Sequence, residues 1–201
     1  MGGFQLKPAL EFDRNIWSLL RLGSSLPDQS GERIAVMQIS SFKDMYLAEL
    51  QELVSVESQL ADSLLRMAEV AAHPSLKDAL VHHRAQTEVQ KDRLVSLLQK
   101  HGAAPAAHTD QAMQALIHET EKMASMLKGN DLRDAGLIAS AQRLEHYEIA
   151  AYGTAAALAG QLDLREDQEV LHRSLEEEKQ TDILLTRLAK GEINRDALPS
   201  D

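Results

Sequence analysis

The sequence predicts an all-α fold: four long helices packed as two antiparallel hairpins, joined by a crossover containing a short helix, with a helical extension in front. Three observations predict it. Aromatic residues are only 3% of the 201-residue chain, so strand formers are scarce, whereas Ala, Leu, Glu, Gln and Lys dominate and favour helix. Glycine and proline, 10 and 5 in number, fall mostly between long segments. Within those segments apolar residues recur at the spacing of an amphipathic helix.

Residues 1–40 stand apart. Residues 8–22 carry Phe12, Ile16, Trp17 and Leu20 on one helical face, and Gly23 ends the pattern. An apolar helix bearing the single Trp is expected to dock on the bundle or on a second subunit. Glu11 and Asp13 disfavour a membrane surface, which calls for a basic polar face.

The bundle is expected over residues 41–191. Ser41 can cap the first helix, with Asp44 at the capping-box position. Leu53, Val56, Leu60, Leu64, Met67 and Ala71 stripe one face to about residue 72. His73-Pro74-Ser75 breaks that helix, because proline cannot continue a helix interior, and Ser75 is the expected cap of the second. The second helix runs to about His101, with Leu76, Leu80, His83, Thr87, Gln90, Leu94 and Leu97 along its stripe. After the loop at 102–108, residues 109–127 form a shorter amphipathic helix closed by Gly129-Asn130. Residues 132–159 make the third long helix, and 165–190 the fourth, stopped by Gly191; 192–201 are a C-terminal tail. Helices of roughly 26 to 30 residues reach about 40 to 45 Å. Short links within each pair and a long link between the pairs give the ferritin-like form of the four-helix bundle.

Composition bounds the function. Thirty-one acidic against 21 basic residues leave a net charge of −10, and Lys and Arg are scattered singly. No nucleic-acid partner is therefore expected. No apolar run approaches the roughly 18 to 20 residues of a spanning helix, so no membrane is expected either. The first residues lack the basic stretch and apolar block of a secretory signal, which points to the cytoplasm. With no cysteine, disulfides, thiolate catalysis, iron–sulfur clusters and Cys-based zinc sites are excluded together. Any metal must be held by Asp, Glu and His.

The apolar stripes are broken by ligand-type groups at one depth. Glu57 interrupts the first long helix, Glu145 and Glu148 the third, and Glu178 and Asp182 the fourth, while the second contributes His83 amid Gln86, Thr87 and Gln90. Mid-helix positions of an antiparallel bundle meet at about the same height, which brings five carboxylates and one imidazole into one layer. An unpaired buried ion costs several kcal/mol, against a domain stability of about 5 to 15 kcal/mol. The layer must therefore be metallated, protonated, paired with cations, or less buried than the pattern suggests. Arg93 is the best internal cation and cannot balance five acids, whereas two divalent ions can. Hard oxygen ligands with an occasional imidazole suit iron or manganese.

Glu57-Ser-Gln-Leu, His83 with Thr87, the run from Asp134 through Glu145-His-Tyr-Glu148-Ile-Ala-Ala-Tyr152-Gly-Thr, and Leu175-Glu-Glu-Glu178-Lys-Gln-Thr-Asp182 resemble the YciE/YciF-type stress proteins. These are bacterial ferritin-like proteins related to rubrerythrins. The resemblance covers roughly residues 42–190 and implies a ferritin-like fold, a homodimer and induction under general stress. It brings no settled enzymatic activity. Gln86 departs from it, standing where the family's second helix usually has a carboxylate, and position 90 is Gln as well.

The expected function is a ferritin-like stress protein binding iron or manganese, as one ion or two. Its ligands would be Glu57, His83, Glu145, Glu148, Glu178 and Asp182, and oxygen or peroxide the small substrate of an oxidase- or peroxidase-type centre. Glu145 or Glu148 would bridge, with Glu57 and Glu178 terminal. His146, one residue off the stripe, is expected either to support a ligand or to lie at the surface, and the Glu169/His172 pair at the surface, as is all of the run Glu176-Glu177-Glu178 except its last member. The alternative is a metal-free interaction or protective protein whose polar layer fixes helix register.

Overall fold

The computed structural model describes residues 39–106 and 108–198. The expected helix at 8–22 lies outside the described residues. Five substantial helices follow in order: α1 (Phe42–Val70), α2 (Pro74–Lys100), α3 (Gln111–Met126), α4 (Asn130–Gln161) and α5 (Arg165–Leu188). The chain then passes through a single π-helical segment (Ala189–Ile193) into the short α6 (Asn194–Asp196). No strand occurs among the described residues. α1 packs along α2 and α4 along α5, the two hairpins face each other, and α3 lies against α4 and α1. This is the ferritin-like four-helix bundle.

The helix ends show local chemistry at work. At the start of α1, Ser41 Oγ accepts from the Asp44 amide at 3.0 Å, and Asp44 returns the bond to the Ser41 amide at 2.9 Å. This is the expected capping box. At the next break Ser75 is not the cap. Pro74 opens α2 from an extended His73 that makes no capping bond, because proline needs no donor partner in a first turn. The amides of Ala72 and His73 donate instead to the buried Asp134 of α4, at 2.9 and 2.7 Å. The tip of the first hairpin is thereby clamped to the second. Gly129, just before α4, has φ +88, which a side chain would strain.

Asp110 caps α3 by accepting from the Met113 amide at 2.6 Å, and it also accepts from the Tyr147 hydroxyl at 2.6 Å. The crossover is tied to α4 by that second bond. Gly191 does not stop α5: the π-helical segment carries the chain on and buries Ile193 in the core.

The buried interior falls into two apolar clusters. One contains Leu60, Leu64, Leu76, Leu80, Leu137, Ile138 and Leu185, and the other Tyr46, Leu50, Leu53, Leu94, Leu98, Ala155 and Leu171. Along every long helix the boundary between them falls where the stripes turn polar. Glu57, His83, Gln90, Glu145, Glu148 and Glu178 are all buried at that boundary. The bundle is thus two oily cores separated by a polar layer.

Candidate metal centre

Three of the four long helices converge on one point. His83 of α2, Glu145 and Glu148 of α4 and Glu178 of α5 each offer a ligand atom, and those atoms lie within 4.8 Å of one another. The spacing of Glu145 and Glu148 follows from helical geometry, since residues three apart share a face. His83 Nε2 lies 2.9 Å from Glu145 Oε1 and 3.8 Å from Glu178 Oε2. Neither contact is aligned as a hydrogen bond. Both nitrogens of His83, both oxygens of Glu145, both of Glu148 and Oε2 of Glu178 are buried without a hydrogen-bond partner.

Glu57 of α1 is equally buried and borders the four, but it is held differently. The Tyr152 hydroxyl donates to its Oε1, leaving Oε2 without a partner. Burial, opposed by that hydroxyl and reinforced by the charges of Glu145 and Glu177, pushes the Glu57 carboxyl up to about 8. Burial also raises Glu148 and Glu178 well above the ordinary carboxylate range, and the neighbouring glutamates add to the rise in both.

Asp182 is not part of the cluster. It is 23% exposed at the flank, where Gln142 donates to its Oδ1 at 3.0 Å and His146 Nε2 lies 3.4 Å away. One turn beyond Glu178, it has rotated off the layer towards the gap between α4 and α5. Glu169 and His172 are exposed, as expected, and His146 lies at the surface too. Gln86 is half-exposed and outside the layer, whereas Gln90 is fully buried and its Nε2 donates to Glu178 Oε1.

Glu177 departs from its expected place on the solvated face. It is half-buried, with its Oε2 2.6 Å from Arg93 Nη1 and its Oε1 3.0 Å from Nη2, and it also accepts from Gln90 Nε2 at 3.1 Å. The signal for it was Arg93, a cation near the stripe that needs an anion on the facing helix. A second buried acid, Asp167 at the start of α5, carries no signal in the stripes. It accepts from Lys100 Nζ at 2.8 Å and Tyr46 Oη at 3.0 Å, and His101 Nε2 sits 2.6 Å away. Burial pushes its carboxyl up, but these bonds together hold it below its usual value.

The donor set fits a metal ion. Three carboxylates and an imidazole are hard, oxygen-rich ligands of the kind iron and manganese accept. Metal–ligand bonds of about 2.0 to 2.2 Å put opposite ligand atoms at most about 4.4 Å apart, so a small inward movement closes the cluster on one ion.

Known proteins align with this chain over its bundle. The family model described as "Domain of unknown function (DUF892)" matches residues 41–198. Protein YciF of Escherichia coli strain K12 is 36% identical over 162 residues, which span 80% of this chain and 98% of that protein. The crystal structure of the E. coli stress protein YciF aligns with a TM-score of 0.74 at 36% identity, covering 78% of this chain and 99% of the other. YcfI of Rhodopseudomonas palustris, provisionally described as a structural protein, aligns with a TM-score of 0.73 at 32% identity, covering 75% and 96%.

Proposed function

We propose a function from one established premise: this chain belongs to the family described as a domain of unknown function, DUF892, and is a homologue of the stress protein YciF. Its charged layer is a centre for iron or manganese, held by His83, Glu145, Glu148 and Glu178, with Glu57 beside them. One observation carries this reading. Seven nitrogen and oxygen atoms of the four side chains are buried with no hydrogen-bond partner. Polar atoms in that state cost about 1 to 3 kcal/mol each, and a bound cation satisfies them together.

When bound in its reduced, divalent state, such an ion would supply electrons to oxygen or peroxide, the substrate class we assign, and be oxidised in turn. The chain's own part is positioning. Tyr152 orients Glu57 and Gln90 orients Glu178. The two apolar clusters keep bulk water from the layer. Glu57 Oε2, buried without a partner, is the atom we assign to a second ion. A cytoplasmic homodimer completes the reading, carried over from the kinship with YciF; no described helix is long and apolar enough to cross a membrane. The test is a melting temperature measured with and without a chelator: a fall on metal removal supports the centre, and indifference counts against it.

A second reading has its own observation. Gln90 and Tyr152 already donate to Glu178 and Glu57, and the raised carboxyls are suited to a protonated layer. A metal-free protective protein would use such a layer to fix helix register.

A further inference from the structure

The ligands of the centre are enclosed, so an ion must have a way in. His83 is 2% exposed, and Glu145, Glu148 and Glu178 are 0% exposed. On the face between α2 and α5 a shallow cleft is lined by His82, Ala85, Gln86, Val89, Arg93 and Glu177. Two of its lining residues, Arg93 and Glu177, connect it to the layer through hydrogen bonds. Glu177 holds the Arg93 guanidinium through both carboxylate oxygens. The same Glu177 Oε2 accepts from Gln90 Nε2 at 3.1 Å, and that amide also donates to Glu178 Oε1. Gln90 Oε1 is buried with no partner. A chain of three side chains therefore runs from the cleft to the ligands: a carboxylate, an amide with a free oxygen, and a ligand carboxylate.

We propose that this cleft is the port through which a divalent cation enters the centre, with the Arg93–Glu177 pair as its gate. The inference rests on the reading of the layer as a metal centre. Arg93 at the mouth repels a dication while it masks the anion that would attract one. When the guanidinium swings towards solvent, Glu177 takes the ion and Gln90 Oε1 offers a neutral oxygen on the way to Glu178. The pair suits such movement, because its side chains are 22% and 25% exposed and reach the cleft. The flank at Asp182 is the rival route, but there Gln142 occupies the carboxylate and joins it to Thr186.

The two gate residues have opposite expected effects. Arg93→Gln removes the blocking cation and leaves Glu177 free, so Mn2+ uptake speeds up by roughly tenfold, about 1.4 kcal/mol of barrier. Glu177→Gln leaves an unpaired cation over the entrance and no anion to receive the ion, so uptake slows by a similar factor. A pair that only staples α2 to α5 would be broken by either change, Arg93→Gln losing the bond to Ser174 Oγ as well, and would move both rates the same way. The experiment follows the free-ion EPR signal of Mn2+ after mixing with the full chain, beside the equilibrium stoichiometry and the melting temperature of each variant. Opposite rate changes at unaltered stoichiometry support the port. Equal or parallel rates in variants that bind normally overturn it and leave the metal centre standing. A wild-type protein that takes up no Mn2+ at equilibrium, with Fe2+ tested anaerobically alongside, overturns both.

Discussion

Without metal, the bundle should become less stable as the solution becomes more alkaline. Glu57, Glu148 and Glu178 have carboxyls whose pKa in the folded protein lies above the unfolded value of 4.5. The folded chain thus keeps protons that the unfolded chain releases, and stability falls with pH across that interval. The contribution of each group is whole below its unfolded pKa and is lost as pH rises, in Glu57 through about 8. Over that span Glu57 alone accounts for about 5 kcal/mol, comparable with the total stability of a small domain, about 5 to 15 kcal/mol. A bound dication reverses the trend, because it needs the carboxylates ionised. At a free concentration a hundredfold above Kd it adds about 2.7 kcal/mol, or roughly 5 to 11 °C for a domain of this size. The assay is thermal unfolding between about pH 5 and about pH 8, with chelator and with Mn2+. The melting temperature of the chelated protein should fall across the range, and the gain from Mn2+ should grow. A level or rising curve in chelator, or an Mn2+ effect that does not increase with pH, would mean that these carboxyls do not hold extra protons in the folded chain.

Substitution of the acids should separate the layer from its surroundings. Glu148→Ala should weaken Mn2+ binding by roughly tenfold or more, whereas Asp182→Ala should leave it unchanged, both read by equilibrium dialysis with elemental analysis. Asp167→Ala strips the partner from Tyr46 and His101 and should cost about 2 to 4 kcal/mol by denaturant unfolding. Because the Asp167 carboxyl sits below its unfolded value of 3.8, its contribution is present above that pH and lost as pH falls through the folded value, so the cost of the substitution should shrink in acid. Asp134→Ala leaves the amides of Ala72 and His73 without their acceptor. It should lower the denaturation midpoint by the equivalent of about 1 to 3 kcal/mol with the slope unchanged.

The fold was legible because its signals are local and repeated. Ser41 with Asp44, Pro74, Gly129 and the apolar stripes each act within a few residues, and together they set the four long helices. Glu57, His83, Glu145, Glu148 and Glu178 could be placed in the layer because each breaks its own stripe at mid-helix. The misplacements lie where position around the helix axis, or a partner on another helix, decides the outcome. Asp182 is one turn from Glu178, yet a small rotation sends it to Gln142 and His146. Glu177 is drawn inward by Arg93, a contact across 84 residues that no stripe records. Ser75 yields the capping position because Asp134, 61 residues beyond His73, supplies the acceptor that the loop needs. Gly191 does not end the helical run, because Ile193 finds a place in the core.

The most direct measurement is the metal content of the full chain purified without a histidine tag, by elemental analysis, before and after anaerobic incubation with Fe2+ and with Mn2+. A metal centre at the layer should hold about one ion or more per chain that withstands gel filtration, with loss of most of it in Glu148→Ala. A chain that carries no iron or manganese in any of these states, and melts alike with and without chelator, would contradict it.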